Sequence, residues 1–146
     1  MTRRQVRDYA FKLIFEKLLR DDDIQELYEI ASEIDEIMVS DDVKVLVEGV
    51  LEKAEELDEK ISSLSTTRAI SRISKINIAI LRIAIYEILY DDKTPTNVAI
   101  SEAVLLSEAY SYKEDTRFVN GLLSSFAKSL DKEQEENALF SGNRYK

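Results

Sequence analysis

The stretch SKINIAILRIAIYEILY, residues Ser74–Tyr90, decides the fold. Ile76, Ile78, Ala79, Ile80, Leu81, Ile83, Ala84, Ile85, Ile88 and Leu89 surround a helical axis, so the segment reads as a central helix buried on every side. Its isoleucines alone would suit a strand. The apolar run is too long for a typical strand, and Ala79 and Ala84 favour helix. Arg82 is the only charge between Ile76 and Tyr86. Unpaired burial of a guanidinium is expensive, so a carboxylate partner is required. Glu102 is the expected partner. Glu87, near the end of the helix, sits where a negative charge is mildly unfavourable. It reads either as a plain surface acid or as a residue with a use.

Downstream, Pro95 fits the first turn of a helix, where its missing N–H costs nothing. Ala99, Ala103, Leu106 and Tyr110 make the inner stripe of that helix. Asp115 or Thr116 caps another, with Val119, Leu122, Leu123 and Phe126 inward. Gly121 inside it costs about 1 kcal/mol relative to Ala, which suggests a close backbone approach. Residues 131–146 are polar and read as a flexible tail. Upstream, a first helix is expected from about Thr2 to Leu19, with Phe11, Ile14, Phe15 and Leu18 at helical spacing. A second is expected over Ile24–Ile37 after Asp21–Asp23. A third starts at Ser40-Asp41, carries a continuous stripe from Val43 to Leu57 and extends towards Leu64. The Ser/Thr-rich Ser62–Thr67 is the best subdomain boundary. The chain therefore reads as all-α, with six to seven helices. An N-terminal subdomain covers residues 1–64, a C-terminal one covers 65–130, and the tail follows from 131 to 146.

Composition agrees. Three Gly and one Pro in 146 residues leave few breakers. The absence of Cys and His excludes disulfides, thiolate or imidazole metal sites and His-based catalysis, and a reducing cytoplasm is the expected compartment. No signal peptide or membrane span is expected. The acid runs Asp21–Asp23 and Glu133–Glu136 lack a calcium-loop pattern and read as caps and tail. No catalytic residue, metal ligand or cofactor is expected. Net charge is −9, which argues against a polyanion partner until its distribution is considered. Residues 1–20 carry a net +4, residues 21–59 a net −14, and residues 61–86 four bases and no acid.

Two places carry the chemistry of an anion site. In RRQVRDYAFKLIF, residues 3–15, the arginines Arg3, Arg4 and Arg7 lie within about 100° of one another on the wheel. They share the side of Phe11, Ile14 and Leu18, so the helix is expected to outrun the core and leave an arginine face open. A guanidinium fork fits phosphate and stacks on unpaired bases. The alternative is a solvated terminus whose arginines pair with nearby acids. In Asp115–Gly121, Arg117 and Phe118 stand at a helix N-terminus, which favours phosphate and offers a ring for stacking. The alternative makes Phe118 a core residue and Arg117 a surface charge.

Three segments also carry a resemblance: ILRIAIYEIL (Ile80–Leu89), TPTNVAISEAVLL (Thr94–Leu106) and DTRFVNGLL (Asp115–Leu123). In order and spacing they resemble the NusB family of bacterial transcription antitermination factors, whose pattern is an LRxAxYE helix, a Pro-led VAINEAV helix and an FVNGxL helix. The resemblance implies two roughly perpendicular three-helix bundles. It implies binding of boxA, a single-stranded element of nascent ribosomal RNA, together with NusE, a ribosomal small-subunit protein, in the antitermination complex of RNA polymerase. It assigns RNA contacts to Arg3, Arg4, Arg7, Asp115, Arg117 and Phe118, and partner contacts to Glu87 and Phe15. Asp115 is expected to cap its helix and to limit RNA affinity. Some family members form homodimers that hide the RNA face. The chain departs from the pattern at Gln5, Ser101, Glu108 and the stretch Tyr110-Ser111-Tyr112. Two other readings stand beside this one. One is a helical adaptor that binds protein but no RNA. The other is a detached N-terminal domain of an rRNA cytosine methyltransferase, which shares the fold.

Overall fold

The computed structural model describes the backbone of residues 1–144 and the side chains of residues 1–137. Among these are seven α-helices, one 3₁₀ turn and no strand. The helices are α1 (Arg3–Leu19), α2 (Ile24–Ser32), α3 (Asp41–Glu52), α4 (Ala54–Leu64), α5 (Lys75–Tyr90), α6 (Thr96–Tyr110) and α7 (Lys113–Arg144). The 3₁₀ turn is Ile70–Arg72, between α4 and α5.

α5 is the central element. Ser74 caps it by accepting from the Asn77 N–H, and Ile78–Leu81 and Ile83–Ile85 are all buried. It packs against α1, α3, α4, α6 and α7, and one apolar cluster runs through all of them. α1 bridges towards the chain's first half, touching α2 and α3 as well as α5. α6 and α7 pair on the other side of α5, with Val119, Leu122, Leu123 and Phe126 buried as their spacing requires. The α6–α7 turn needs no glycine. Ser111 takes an extended backbone there, and the buried Ser107 hydroxyl bonds both Ser111 Oγ (2.7 Å) and Thr116 Oγ1 (2.8 Å).

Several expectations are corrected. α2 stops at Ser32 rather than Ile37, and i→i−3 bonds from Glu33, Ile34 and Ile37 tighten the following turns. The acids Glu33, Asp35 and Glu36 crowd the negative end of the helix dipole and disfavour its extension. The long third helix is broken at Lys53 into α3 and α4. α7 begins at Lys113, so neither Asp115 nor Thr116 is its cap. Asp115 instead reaches back from the first turn to accept from the Tyr112 N–H at 3.3 Å. Tyr110 is not an inner residue of α6. Its ring stacks on Phe11 at 4.9 Å on the rim, while its hydroxyl donates to Asp8. Backbone of the expected tail continues as helix to Arg144; side chains past residue 137 lie outside the described residues.

Gly121 is corrected too. A Cβ there would meet nothing within 4 Å, so no packed neighbour explains it. The glycine that permits a close approach is Gly49 in α3, where a Cβ would collide with the Tyr86 hydroxyl and ring. Gly49→Ala is expected to destabilise by about 1–3 kcal/mol through overpacking. Gly121→Ala is expected to stabilise by up to about 1 kcal/mol. Urea melts of the two variants check both signs.

The Tyr28 hydroxyl is buried with no hydrogen-bond partner among the described residues. Burial, assisted by the charge of Glu48, pushes its pKa up to about 12. The folded state thus keeps the phenol proton longer than the unfolded chain. Stability from this source is present below about pH 10 and lost as pH rises towards 12. Tyr28→Phe removes the unsatisfied hydroxyl, so its melting temperature is expected to equal or exceed the parent's. Its alkaline loss should be shallower, as a pH series of thermal melts would read.

Candidate nucleic-acid interface

The arm is built from the cap of α1 outward. Thr2 and Gln5 form a capping box: the Gln5 N–H donates to Thr2 Oγ1 (3.1 Å) and the Thr2 N–H to Gln5 Oε1 (2.8 Å). Gln5 is thus occupied in starting the helix. The cap fixes the first turn and with it the direction in which Arg3, Arg4 and Arg7 leave the backbone.

The arginine face is not open, as the sequence suggested. Arg7 is buried, with a side-chain exposure of 6%, and forms a two-point pair with Glu87 of α5, itself 1% exposed. Arg7 Nε donates to Glu87 Oε1 at 2.7 Å and Nη2 to Oε2 at 3.1 Å. Arg3 reaches the same carboxylate at 3.3 Å and Asp91 at 3.4 Å. The Thr94 hydroxyl lies 2.6 Å from Asp91 Oδ2 and 3.2 Å from Glu87 Oε2, and its one proton serves either. Arg4 Nε and Nη2 donate to the two oxygens of Glu102 of α6 at 3.1 and 3.0 Å. Arg7 Nη1 stands 3.9 Å from Glu102. Three guanidiniums therefore face three carboxylates, and the arm is locally neutral. The arginines do pair with nearby acids, but on a capped helix with Arg7 buried and not on a solvated terminus.

The electrostatics follow. The hydrogen bond and charge of Glu102 raise the Arg4 guanidinium pKa above its ordinary value. Burial pushes the Asp91 carboxyl up, but the Thr94 hydroxyl, the Lys93 N–H and the charges of Arg3 and Arg7 together outweigh it and hold the group low. That stabilisation is present above the ordinary carboxylate range and is lost as pH falls through the depressed folded value.

Glu87 is no plain surface acid. The unfavourable dipole at the α5 C-terminus is offset by two arginines, and burial leaves its carboxylate inaccessible to a partner in this conformation. Phe15, half-buried, stacks at 6.1 Å on Phe11. Arg82 pairs with Asp58 of α4 at 2.8 and 2.7 Å, not with Glu102. Asp58 lies in α4, which packs against α5.

The start of α7 makes the second basic feature. Arg117 is exposed and Phe118 half-buried, and the Arg68 guanidinium covers the Phe118 ring at 4.6 Å. Asp115 accepts from Asn77 Nδ2 at 3.0 Å and lies 3.9 Å from Arg68. A recess of about 210 Å³ beside Phe118 is lined by Ser65, Thr66, Thr67, Arg117 and Gly121. The outer face of α6 separates the two features. Glu102 sits under Arg4, and Glu108 beside Arg117 lines a second recess. Six residues of helix separate these acids, roughly 9 Å. The surface offers two exposed, acid-paired arginines on the arm, a further arginine and a half-buried aromatic ring under Arg68, with acids between them. That is equipment for an extended anion with stackable bases.

Sequence reasoning missed Glu102, Asp91, Thr94 and Asn77 as partners of the residues at this site. Only Glu102 carried a signal, an acid within the apolar run of α6, and it was matched to the wrong arginine. Among the described residues no cluster of acids could hold a metal ion, and no helix is long and apolar enough to cross a membrane.

The model of the NusB family matches residues 4–128. A transcription antitermination protein NusB from Ruminiclostridium cellulolyticum is 41% identical over 141 residues, covering 94% of this chain and 96% of the relative. Among solved structures, T. maritima NusB is 29% identical with a TM-score of 0.76, over 88% of this chain and 92% of the other. A chain in the crystal structure of the antitermination factors NusB and NusE in complex with dsRNA is 26% identical with a TM-score of 0.76, over 87% and 96%.

The Arg7–Glu87 pair carries a stability expectation. Arg7→Ala leaves Glu87 buried with only Arg3 and the Thr94 hydroxyl to hold its charge, and should cost up to about 3–5 kcal/mol. Arg7→Met with Glu87→Met, which removes both charges, should recover most of that loss. Guanidinium melts of the single and double variants read the difference directly.

Proposed function

The chain belongs to the NusB family, and on that premise we propose that it is a transcription antitermination factor binding a boxA-type single-stranded RNA together with NusE. The observation that carries the reading is the arm. Arg4 and Arg3 have side-chain exposures of 70% and 42% on a helix whose backbone is locked by the buried Arg7–Glu87 pair. Such a factor makes and breaks no bond. Its mechanism is coupled binding, in which NusE and RNA each raise the other's affinity by the same factor. The complex then joins elongating RNA polymerase.

Within that reading the residues divide by accessibility. Arg3, Arg4, Arg117 and Phe118 contact RNA. Arg7 is a positioning residue, since phosphate reaches it only by breaking its pair with Glu87. Asp115 positions the start of α7 through Asn77 and the Tyr112 N–H, and its charge limits affinity. Phe15 faces the NusE side, and Glu87 serves that surface by holding α1 on α5. A second copy covering the arm would compete with RNA.

One observation favours the adaptor reading: the net charge of −9 together with arginines already matched by acids. Fluorescence anisotropy of a labelled boxA RNA, with and without NusE, separates the two. The expected outcome is sequence-dependent binding that tightens when NusE is present. Arg4→Ala should weaken it and reduce the slope of log K against log salt by about 0.7 for one lost phosphate contact. Absence of sequence-dependent binding in both mixtures, with the protein folded, would favour the adaptor.

A further inference from the structure

Resting on the RNA-binding reading, we propose that Glu102 is an affinity-setting residue of this surface: a carboxylate that occupies the Arg4 fork in the free protein and must yield it to an RNA phosphate. Arg4 is the most exposed of the three arm arginines, yet its Nε and Nη2 are both engaged by the two oxygens of one carboxylate. That two-point geometry is the one a phosphate would use on the same fork. Glu102 thus stands in the place of a phosphate.

The two partners differ in freedom. Glu102 has a side-chain exposure of 12%, on a helix that packs against α5 and α7, and Arg7 Nη1 stands 3.9 Å from it. Arg7 is itself pinned by Glu87. The carboxylate is therefore the fixed member and Arg4 the mobile one. When Arg4 swings to a phosphate, Glu102 keeps the field of Arg7, so the exchange leaves no charge without a counter-charge. The cost is a competition. Apparent RNA affinity is reduced to the extent that Arg4 is held by Glu102 and not free for phosphate. A polyanion offering charge alone gains little from such a fork. An RNA that also makes contacts at the start of α7 can offset the exchange.

The test is Glu102→Gln, which keeps the side chain's shape and removes its charge, with Arg7 still paired to Glu87. A labelled single-stranded boxA RNA is titrated by anisotropy against the full chain. Glu102→Gln should bind about two- to fivefold more tightly, the order of one exposed ion pair. The gain should vanish in Arg4→Ala/Glu102→Gln, which should bind as Arg4→Ala does, because the two residues act as one unit. If Glu102→Gln does not fold, Glu102→Asp draws the carboxylate back by one methylene and should raise affinity in the same direction. Equal or weaker binding by the folded Glu102 variant, with the parent binding RNA, overturns this proposal and leaves the RNA reading standing. A gain that survives without Arg4 also overturns it, since Glu102 would then act only as a general negative charge. No binding by parent or variant overturns both readings.

Discussion

The buried pair between Arg7 and Glu87 is the constraint on which the rest of this surface depends. It joins residues 80 apart in the chain and fixes the axial position of α1 against α5. Two charges taken out of water are expensive, and here the expense is offset by two-point geometry, by Arg3 on the same carboxylate and by the Thr94 hydroxyl. The pair also resolves a local conflict. A glutamate in the last turn of α5 meets the negative end of the helix dipole, and an arginine in α1 on the apolar side has no water to solvate it. Each satisfies the other. An apolar pair of similar volume could hold the helices equally well, but would not present a guanidinium to Glu102.

From that fixed point the arm's chemistry is set by distance from the core. Arg7 is closed off, Arg3 shares its charge between Glu87 and Asp91, and Arg4 reaches outward to Glu102. The same residue type thus does three jobs within five positions. Local neutrality means that this arm, on a chain of net charge −9, exerts no strong attraction on every polyanion. Under the proposed function, the RNA must be told apart from other polyanions. A fork already matched by an acid suits that requirement better than an unpaired cluster, whose affinity would be mostly salt-dependent and sequence-independent.

The start of α7 is organised on the same principle. Asp115 is tied to Asn77 and to the Tyr112 N–H, and Arg68 lies over Phe118. Both basic features therefore stand beside acids that order them, and the outer face of α6 lies between them.

The sequence by itself determined that the chain is helical and where most of the helices lie, though not the end of α2 or the break at Lys53. The apolar residues of Ser74–Tyr90 repeat all round the axis, those of α6 and α7 repeat at helical spacing, and Ser40 and Ser74 mark starts that the backbone obeys. These are local properties, since 3.6-residue periodicity and capping need only neighbours within a turn or two. The arginines of the arm were legible as candidates for the same reason, and the three motifs identified the family. Tertiary structure alone decided which charges meet. Arg82 pairs with Asp58 of α4, which packs against α5, and Glu102 belongs to Arg4, 98 residues away. Gly49 rather than Gly121 is the glycine that matters, because Tyr86 comes from another helix. A wheel gives the face on which a residue lies but not the height at which two helices dock. Ion pairs and close contacts are short-ranged in three dimensions, so they are settled only when packing sets that height.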